Sequence, residues 1–252
     1  MKIYRISRIA LVFLAIGLFS CSANLELRKK QGEASKNLGG EYYKKGDYTS
    51  ALRAFLKAEK LYSDDPYLHY DLGLTYKAKK KLDLAVKHFE KAIEMKPDYA
   101  PAKNALGTVY LDKKEWDTAI AYFKEVTGNL LYTTPHLPLS NIGWAYYNKK
   151  EYPLAEKFYR DALEVEPKFI NALRGLGLVY IAMGRISEAI ATLERAIKNY
   201  PRFAHLYLDL GKAYTLSHDY KKALNAYDKI IELVPDTALA REAEKEANLI
   251  QN

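Results

Sequence analysis

The sequence predicts an all-α solenoid of six helix-turn-helix repeats with a C-terminal capping helix. One observation is a glycine-centred segment that recurs as NLGGEYY, DLGLTYK, ALGTVYL, NIGWAYY, GLGLVYI and DLGKAYT. A second is the alanine-rich segment that follows each copy with helical periodicity. A third is the single cysteine in 252 residues, which excludes a disulfide framework, so apolar burial must hold the fold.

The glycine-centred segments predict the first helix of each repeat. They align without gaps, and their central glycines are 34, 34, 36, 34 and 34 residues apart. A glycine at this point removes side-chain bulk, so a second helix can approach closely. The repeat-packing glycines are Gly39, Gly73, Gly107, Gly143, Gly177 and Gly211.

The alanine-rich segments predict the second helix. In each, an alanine such as Ala51 or Ala85 is followed four residues later by an aromatic residue or leucine, which places both on one helical face. A tyrosine three residues after each glycine is expected to fill the space between repeats. Proline follows the second helix in four copies, as expected for a residue that cannot continue a helix.

These positions resemble the signature of the tetratricopeptide repeat over residues 32 to 235. The resemblance implies a right-handed superhelix of twelve helices. The predicted repeats are approximately 32–65, 66–99, 100–133, 136–169, 170–203 and 204–237. A polar segment, 238–252, is expected to form a final helix that shields the last repeat.

The N-terminus has the pattern of an export signal. Lys2, Arg5 and Arg8 precede an apolar run, 9–19, that is too short to span a bilayer. The following Leu-Phe-Ser-Cys resembles the lipobox of bacterial lipoproteins, although Phe19 stands where a small or β-branched residue is commoner. The resemblance implies removal of residues 1–20 and lipidation of Cys21, with residues 21–31 as a lipidated cysteine and tether. Ser22 after the cysteine then implies the outer membrane.

Ordinary cleavage after Ala23 is the alternative, and it would give a soluble secreted protein. In either case the signal residues are lost: without Lys2, Arg5 and Arg8, 36 basic residues face 31 acidic ones, a mild net charge of +5. Export makes nucleic acid an unexpected partner.

No catalytic or metal-binding motif is found, so the sequence predicts a non-enzyme with no metal and no cofactor. The five histidines lack ligand spacing such as HxxxH and are expected to be exposed or interfacial. Neither a GxxxxGK[ST] loop nor a GxSxG elbow occurs. The stretch GLGLVY is interpreted as repeat packing.

The tetratricopeptide resemblance implies a concave groove that binds a protein partner. Carried over by position, the groove candidates are Tyr67, Tyr70, Leu74, Asn104, Trp144, Tyr147, Asn171 and Arg174, with Lys36, Thr108, Leu137, Ser140, Leu178, Ile181 and Leu208 beside them. The carboxylate clamp of chaperone-tail binders is disfavoured, because Gly40 and Asp71 replace two of its asparagines. An apolar and aromatic floor suits an amphipathic or extended peptide. Each aromatic could instead belong to the core.

Two further features stay open. Lysine runs follow the first helix of several repeats, for example Lys79 to Lys81; they could contact anionic headgroups or glycan, or simply complement helix dipoles. Between the third and fourth glycines, Gly128, Pro135 and Pro138 predict a loop that is either a surface insertion or a partner contact.

The lipobox, six repeats and interrupted junction together resemble the pilotins, type IV pilus biogenesis lipoproteins of the PilF and PilW type. This resemblance implies an outer-membrane lipoprotein, on the periplasmic face of a Gram-negative bacterium, that binds secretin subunits and promotes their multimerisation. The alternative is a periplasmic lipoprotein adaptor or scaffold for cell-wall or protease machinery.

Overall fold

In the computed structural model the backbone is described for residues 3–128 and 132–251, and side chains for residues 24–128 and 132–251. This described part contains thirteen α-helices and no strand. They are α1 (Ile3–Lys44), α2 (Tyr48–Leu61), α3 (Pro66–Ala78), α4 (Leu82–Met95), α5 (Ala100–Asp112), α6 (Trp116–Thr127), α7 (His136–Asn148), α8 (Tyr152–Val165), α9 (Ile170–Ala182), α10 (Ile186–Asn199), α11 (Ala204–Leu216), α12 (Tyr220–Leu233) and α13 (Ala238–Gln251).

Consecutive helices pack as pairs, which confirms the all-α tetratricopeptide fold class. The chain divides into two units, Met1–Val109 and Tyr110–Asn252. In the first, α1 pairs with α2 and α3 with α4; in the second, α7 pairs with α8, α9 with α10 and α11 with α12. Within the described side chains, no helix is both long and apolar enough to cross a membrane. The side chain of Cys21 and those of the predicted signal lie outside the described residues.

The signature glycines lie where a helix of the same pair comes closest. A Cβ added to Gly39 would lie 2.6 Å from the ring of Phe55, and one added to Gly73 would lie 2.6 Å from the ring of Phe89. These are shorter than ordinary carbon contacts, so a larger residue would have to push the ring aside. Gly143, Gly177 and Gly211 face Tyr159, Leu193 and Tyr227 in the same way, and Gly107 is buried in α5.

A left-handed residue follows the first helix of each repeat, two residues after the helix ends. These residues are Gly46, Lys80, Lys114, Lys150, Gly184 and His218, with φ between 58° and 77°. In each turn their N–H groups bond to carbonyls of the preceding helix; that of Lys150, for example, donates to the Tyr147 carbonyl at 2.9 Å. A left-handed conformation favours glycine, because a Cβ crowds the following carbonyl. Four of the six turns therefore carry a non-glycine residue at a position that disfavours it.

Helical residues extend beyond the predicted repeats at both ends. At the C-terminus, α13 packs against α12 and buries Ala240, Ala243 and Ala247, as predicted for the cap. At the N-terminus, α1 continues through residues 24–31, the segment interpreted as a tether. Arg28 donates to the Lys60 carbonyl at 3.2 Å, and Lys29 lies 5.6 Å from the ring centre of Tyr62. These contacts hold this part of α1 against the end of α2.

Candidate functional site

A pocket of about 250 Å³ lies in the second unit, between residues of α7 and α9. It brings together five of the predicted groove residues, Ser140, Trp144, Asn171, Arg174 and Leu178. Asn141, Tyr159 and Gly175 complete the lining. The pocket thus combines an indole, amides, a guanidinium and an apolar wall, which is the mixture that orients and holds a peptide.

Aromatic side chains form one rim of this pocket. Trp144 is 41% exposed, which is unusual for so large an apolar side chain. Its ring stacks on Tyr147, with centroids 5.6 Å apart and planes 14° apart. Tyr147 in turn contacts Tyr152 at 5.8 Å. The stack holds the indole in place, so a partner pays little side-chain ordering entropy when it covers Trp144.

Tyr159 forms the floor, in a space left by two glycines. Its ring, 2% exposed, lies against Gly143 of α7 and Gly175 of α9. A Cβ on Gly175 would lie 2.2 Å from the Tyr159 Cζ atom. Burial raises the pKa of the Tyr159 hydroxyl above its usual value, so the floor stays neutral. Sequence reasoning interpreted the stretch GLGLVY, which begins at Gly175, as repeat packing, but it did not identify Tyr159 as the residue that Gly175 accommodates.

An ion pair closes the side of the pocket. The Arg174 Nε–H donates to Asp209 Oδ2 at 2.6 Å, and Asp209 is 4% exposed. Burial raises the pKa of Asp209 while Arg174 opposes that rise. Sequence reasoning identified Arg174 but not Asp209. The paired charges leave the pocket close to neutral, so it favours apolar side chains and peptide groups over a free carboxylate.

In the first unit, the predicted groove residues Tyr67 and Tyr70 meet in an aromatic cluster. Both rings lie 5.3 Å from the ring of Tyr99. Lys96 donates to the Tyr67 hydroxyl at 3.0 Å, and Tyr67 is 47% exposed. Lys36 forms an ion pair with Asp65 at 2.6 Å, close to the Tyr67 ring. Tyr99, which lies between α4 and α5, was not predicted because it falls outside both repeat signatures.

Two polar groups of the first unit are poorly satisfied by the chain itself. Burial raises the pKa of Asp71 on α3 to about 6; Lys36 lowers it and Asp65 raises it. The side-chain oxygen of Asn104, a predicted groove residue, is buried and has no hydrogen-bond partner among the described residues. Buried polar groups such as these two side chains destabilise a fold and are common where a protein binds a ligand. The groove candidate Leu74 is half-buried on α3.

Of the five histidines, expected to be exposed or interfacial, two lie at the interface between α3 and α4. His69 and His88 are 5% and 9% exposed and contact each other across the α3–α4 pair. They are 19 residues apart on antiparallel helices, so no local spacing motif could indicate their contact. His205 and His218 are exposed, as expected.

The lysine runs have partners within their own unit. Lys149 lies 2.6 Å from Asp117 and 2.9 Å from Glu151, which together raise its pKa. Lys79 donates to the Thr49 hydroxyl at 2.9 Å. These contacts give Lys79 and Lys149 structural roles that need no lipid or glycan.

Models of the tetratricopeptide repeat match most of the helical region. One described as "TPR repeat" matches residues 39–79, and those described as "Tetratricopeptide repeat" match residues 66–99, 138–169 and 174–243. The chain is 31% identical over 167 residues to "TPR repeat-containing protein MJ1428" of Methanocaldococcus jannaschii, which is 64% of this chain and 30% of that protein. It spans 15%, 30% and 36% of the length of the first three curated relatives that it matches.

Two solved structures share the arrangement of helices. One is PilW, a "widely conserved type IV pilus biogenesis factor"; it superposes with a TM-score of 0.78 at 20% identity, covering 84% of this chain and 98% of that one. The other is PilF of Pseudomonas aeruginosa, with a TM-score of 0.73 at 17% identity, covering 87% and 99%. At these identities the likeness establishes a common fold.

Proposed function

We propose that this chain, which belongs to the tetratricopeptide repeat proteins, is a lipid-anchored outer-membrane protein that binds secretin subunits and promotes their multimerisation in type IV pilus biogenesis. Its role is binding and not catalysis. Tetratricopeptide repeats are protein-interaction modules, and the resemblance to PilW and PilF supports pilus assembly as the process. The observation that carries the binding function is the Trp144 pocket.

The pocket favours a short segment with one apolar anchor. Trp144 is exposed but fixed by Tyr147, which is typical of residues that dominate a binding interface. Asn171 is exposed at the rim, where its amide can bond to the backbone of an extended peptide. Because Asp209 neutralises Arg174, we expect an uncharged residue of the secretin segment to lie beside that pair.

The lipid supplies the location. In this proposal Cys21 is acylated after removal of residues 1–20, and several acyl chains give a stable anchor where one would hold only marginally. The anchored repeats then hold secretin subunits at the membrane in which they must assemble. Lipidation and groove binding are therefore both needed, and each has its own test.

The experiment follows heat-stable secretin multimers in membrane fractions of cells that lack the native protein. The cells receive the wild type, Cys21→Ala or Trp144→Ala. We expect multimers in the outer membrane with the wild type, their loss or displacement to the inner membrane with Cys21→Ala, and a strong reduction with Trp144→Ala. Loss of a central aromatic anchor costs about 2 kcal/mol or more, which lowers affinity roughly 30-fold.

Tyr220→Ala is the matched control. Tyr220 is 46% exposed at the start of α12 and does not line the pocket, so its loss should leave multimers unchanged. Equal multimer levels with and without the protein would reject the secretin as its client and favour the scaffold alternative. Equal effects of Trp144→Ala and Tyr220→Ala would reject the pocket as the recognition site.

A further inference from the structure

A cluster of potential metal ligands lies in the first unit, away from the aromatic surfaces described above. It consists of Glu59 on α2, His69 on α3 and His88 on α4, and one ligand atom from each lies within 4.8 Å of the other two. The His69 and His88 Nδ1 atoms are 3.1 Å apart, and His69 Nδ1 is 3.8 Å from Glu59 Oε1. No function assigned above uses these groups.

The hydrogen bond on the far side of His69 sets the orientation of its ring. His69 Nε2 lies 3.1 Å from the Ser63 carbonyl, and a carbonyl can only accept, so Nε2 carries the proton. His69 Nδ1 therefore presents a lone pair toward His88 and Glu59. Histidines that bind metals usually donate their other ring N–H to a carbonyl or carboxylate in this way.

We propose that Glu59, His69 and His88 bind a divalent transition-metal ion of the Zn²⁺ class. Zn²⁺–N bonds of about 2.0–2.1 Å in a tetrahedral site place neighbouring ligand atoms about 3.3 Å apart. The observed separations of 3.1 Å and 3.8 Å lie on either side of this value. Two imidazoles and one carboxylate leave the fourth position for water or another ligand.

Neighbouring side chains hold the His88 ring in place. His88 is buried and stacks on Tyr76, with ring centroids 5.2 Å apart. Because His69 Nδ1 carries a lone pair, the 3.1 Å contact between the two Nδ1 atoms places the proton on His88 Nδ1 when no ion is bound. When the ion binds it takes the place of the His88 Nδ1 proton, and the neutral ring then carries its proton on Nε2.

A route for the ion is present. His69, His88 and Glu59 line a cavity of about 690 Å³ that also includes Glu90 and Glu94. Glu59 is about 29% exposed, so its carboxylate connects solvent to the two buried imidazoles. A bound ion would join α2 of the first repeat to α3 and α4 of the second, and would therefore stabilise this junction between repeats.

The test is a Zn²⁺ titration of the full chain, purified without a polyhistidine tag and stripped with chelator. Calorimetry measures affinity and stoichiometry, and the visible absorption of Co²⁺ reports a four-coordinate site. We expect one ion per chain, and a loss of affinity of about 100-fold in His88→Gln and at least about tenfold in Glu59→Gln. His205→Gln, at an exposed histidine, and Glu90→Gln, on the cavity wall, should bind as the wild type does.

The outcomes separate a metal site from a hydrogen-bonded histidine pair. Binding of one ion that is lost in His88→Gln and weakened in Glu59→Gln supports the site. Absence of Zn²⁺ binding below about 1 mM, or binding that the His88 and Glu59 variants do not change, overturns it. Circular dichroism checks the fold of each variant, and Glu59→Gln decides the matter if His88→Gln loses helicity, because Glu59 is partly exposed.

Discussion

Asp71→Asn should stabilise the protein, and more so as the pH rises. Asp71 lies half-buried on α3, and burial raises its pKa from 3.8 to about 6. A carboxylate whose pKa is raised by folding is held protonated more strongly in the folded state. Its effect on stability is therefore smallest below pH 4; the destabilisation grows as the pH rises from the unfolded pKa of 3.8 to the folded pKa of about 6, and is constant at higher pH.

The expected stabilisation is calculated from the pKa shift of Asp71. Each pKa unit corresponds to about 1.4 kcal/mol, so the change from 3.8 to about 6 corresponds to about 3 kcal/mol above pH 7. Lys36 lowers the pKa of Asp71 and Asp65 raises it, so both affect the size of the gain. An asparagine keeps the shape and carries no charge, so it should remove most of this penalty. The expected gain is about 1–3 kcal/mol at pH 8 and near zero at pH 4.

Urea denaturation at pH 4, 6 and 8, followed by circular dichroism, measures this difference directly. Asp228→Asn, at an exposed position of α12, is the control and should change the free energy of unfolding by less than about 0.5 kcal/mol at any of these pH values. The reasoning would be refuted if Asp71→Asn destabilised the chain at pH 8, or if its effect were the same at pH 4 and pH 8.

Two pairs of substitutions test the helix packing and the left-handed turns. Gly175→Ala should destabilise the chain by about 1–3 kcal/mol, because its Cβ would meet the Tyr159 ring at 2.2 Å, whereas Gly40→Ala, which meets nothing within 4 Å, should stabilise it by about 0.5–1 kcal/mol. Thermal unfolding of Gly175→Ala and Gly40→Ala tests this prediction, and equal shifts of the melting temperature in the two variants would contradict it. Lys150→Gly should stabilise by about 0.5–1 kcal/mol because it relieves a left-handed lysine at φ 62°, and Gly184→Lys, at φ 73°, should destabilise by a similar amount. Thermal unfolding would contradict this prediction if Lys150→Gly and Gly184→Lys shifted the melting temperature in the same direction.

The paired-helix fold was predictable because the same local pattern of small and large residues occurs in all six repeats. A glycine on one helix and an aromatic residue or leucine on the next must face each other if the helices are to approach closely, and Gly39 with Phe55 shows this contact. The pattern of small residues is short-range and periodic, so it can be read without knowing the tertiary structure. The C-terminal cap followed from the same logic, since the last repeat exposes an apolar face.

The details of the sites depend on neighbours that a linear pattern does not reveal. Arg174 was a candidate by position, but its partner Asp209 lies 35 residues further on and neutralises it. Gly175 differs from its counterparts in the other repeats, and only the position of Tyr159 shows why. His69 and His88 meet only because α3 and α4 run antiparallel.

Site-specific photocrosslinking in cells that produce the secretin tests whether the Trp144 pocket binds it. A benzophenone amino acid is placed at position 144, in the pocket, and at position 220 as the control. The account predicts an adduct with the secretin at position 144 that is absent at position 220, and its mass spectrum should identify a segment with an apolar anchor. No secretin adduct at position 144, or equal adducts at both positions, would contradict the account.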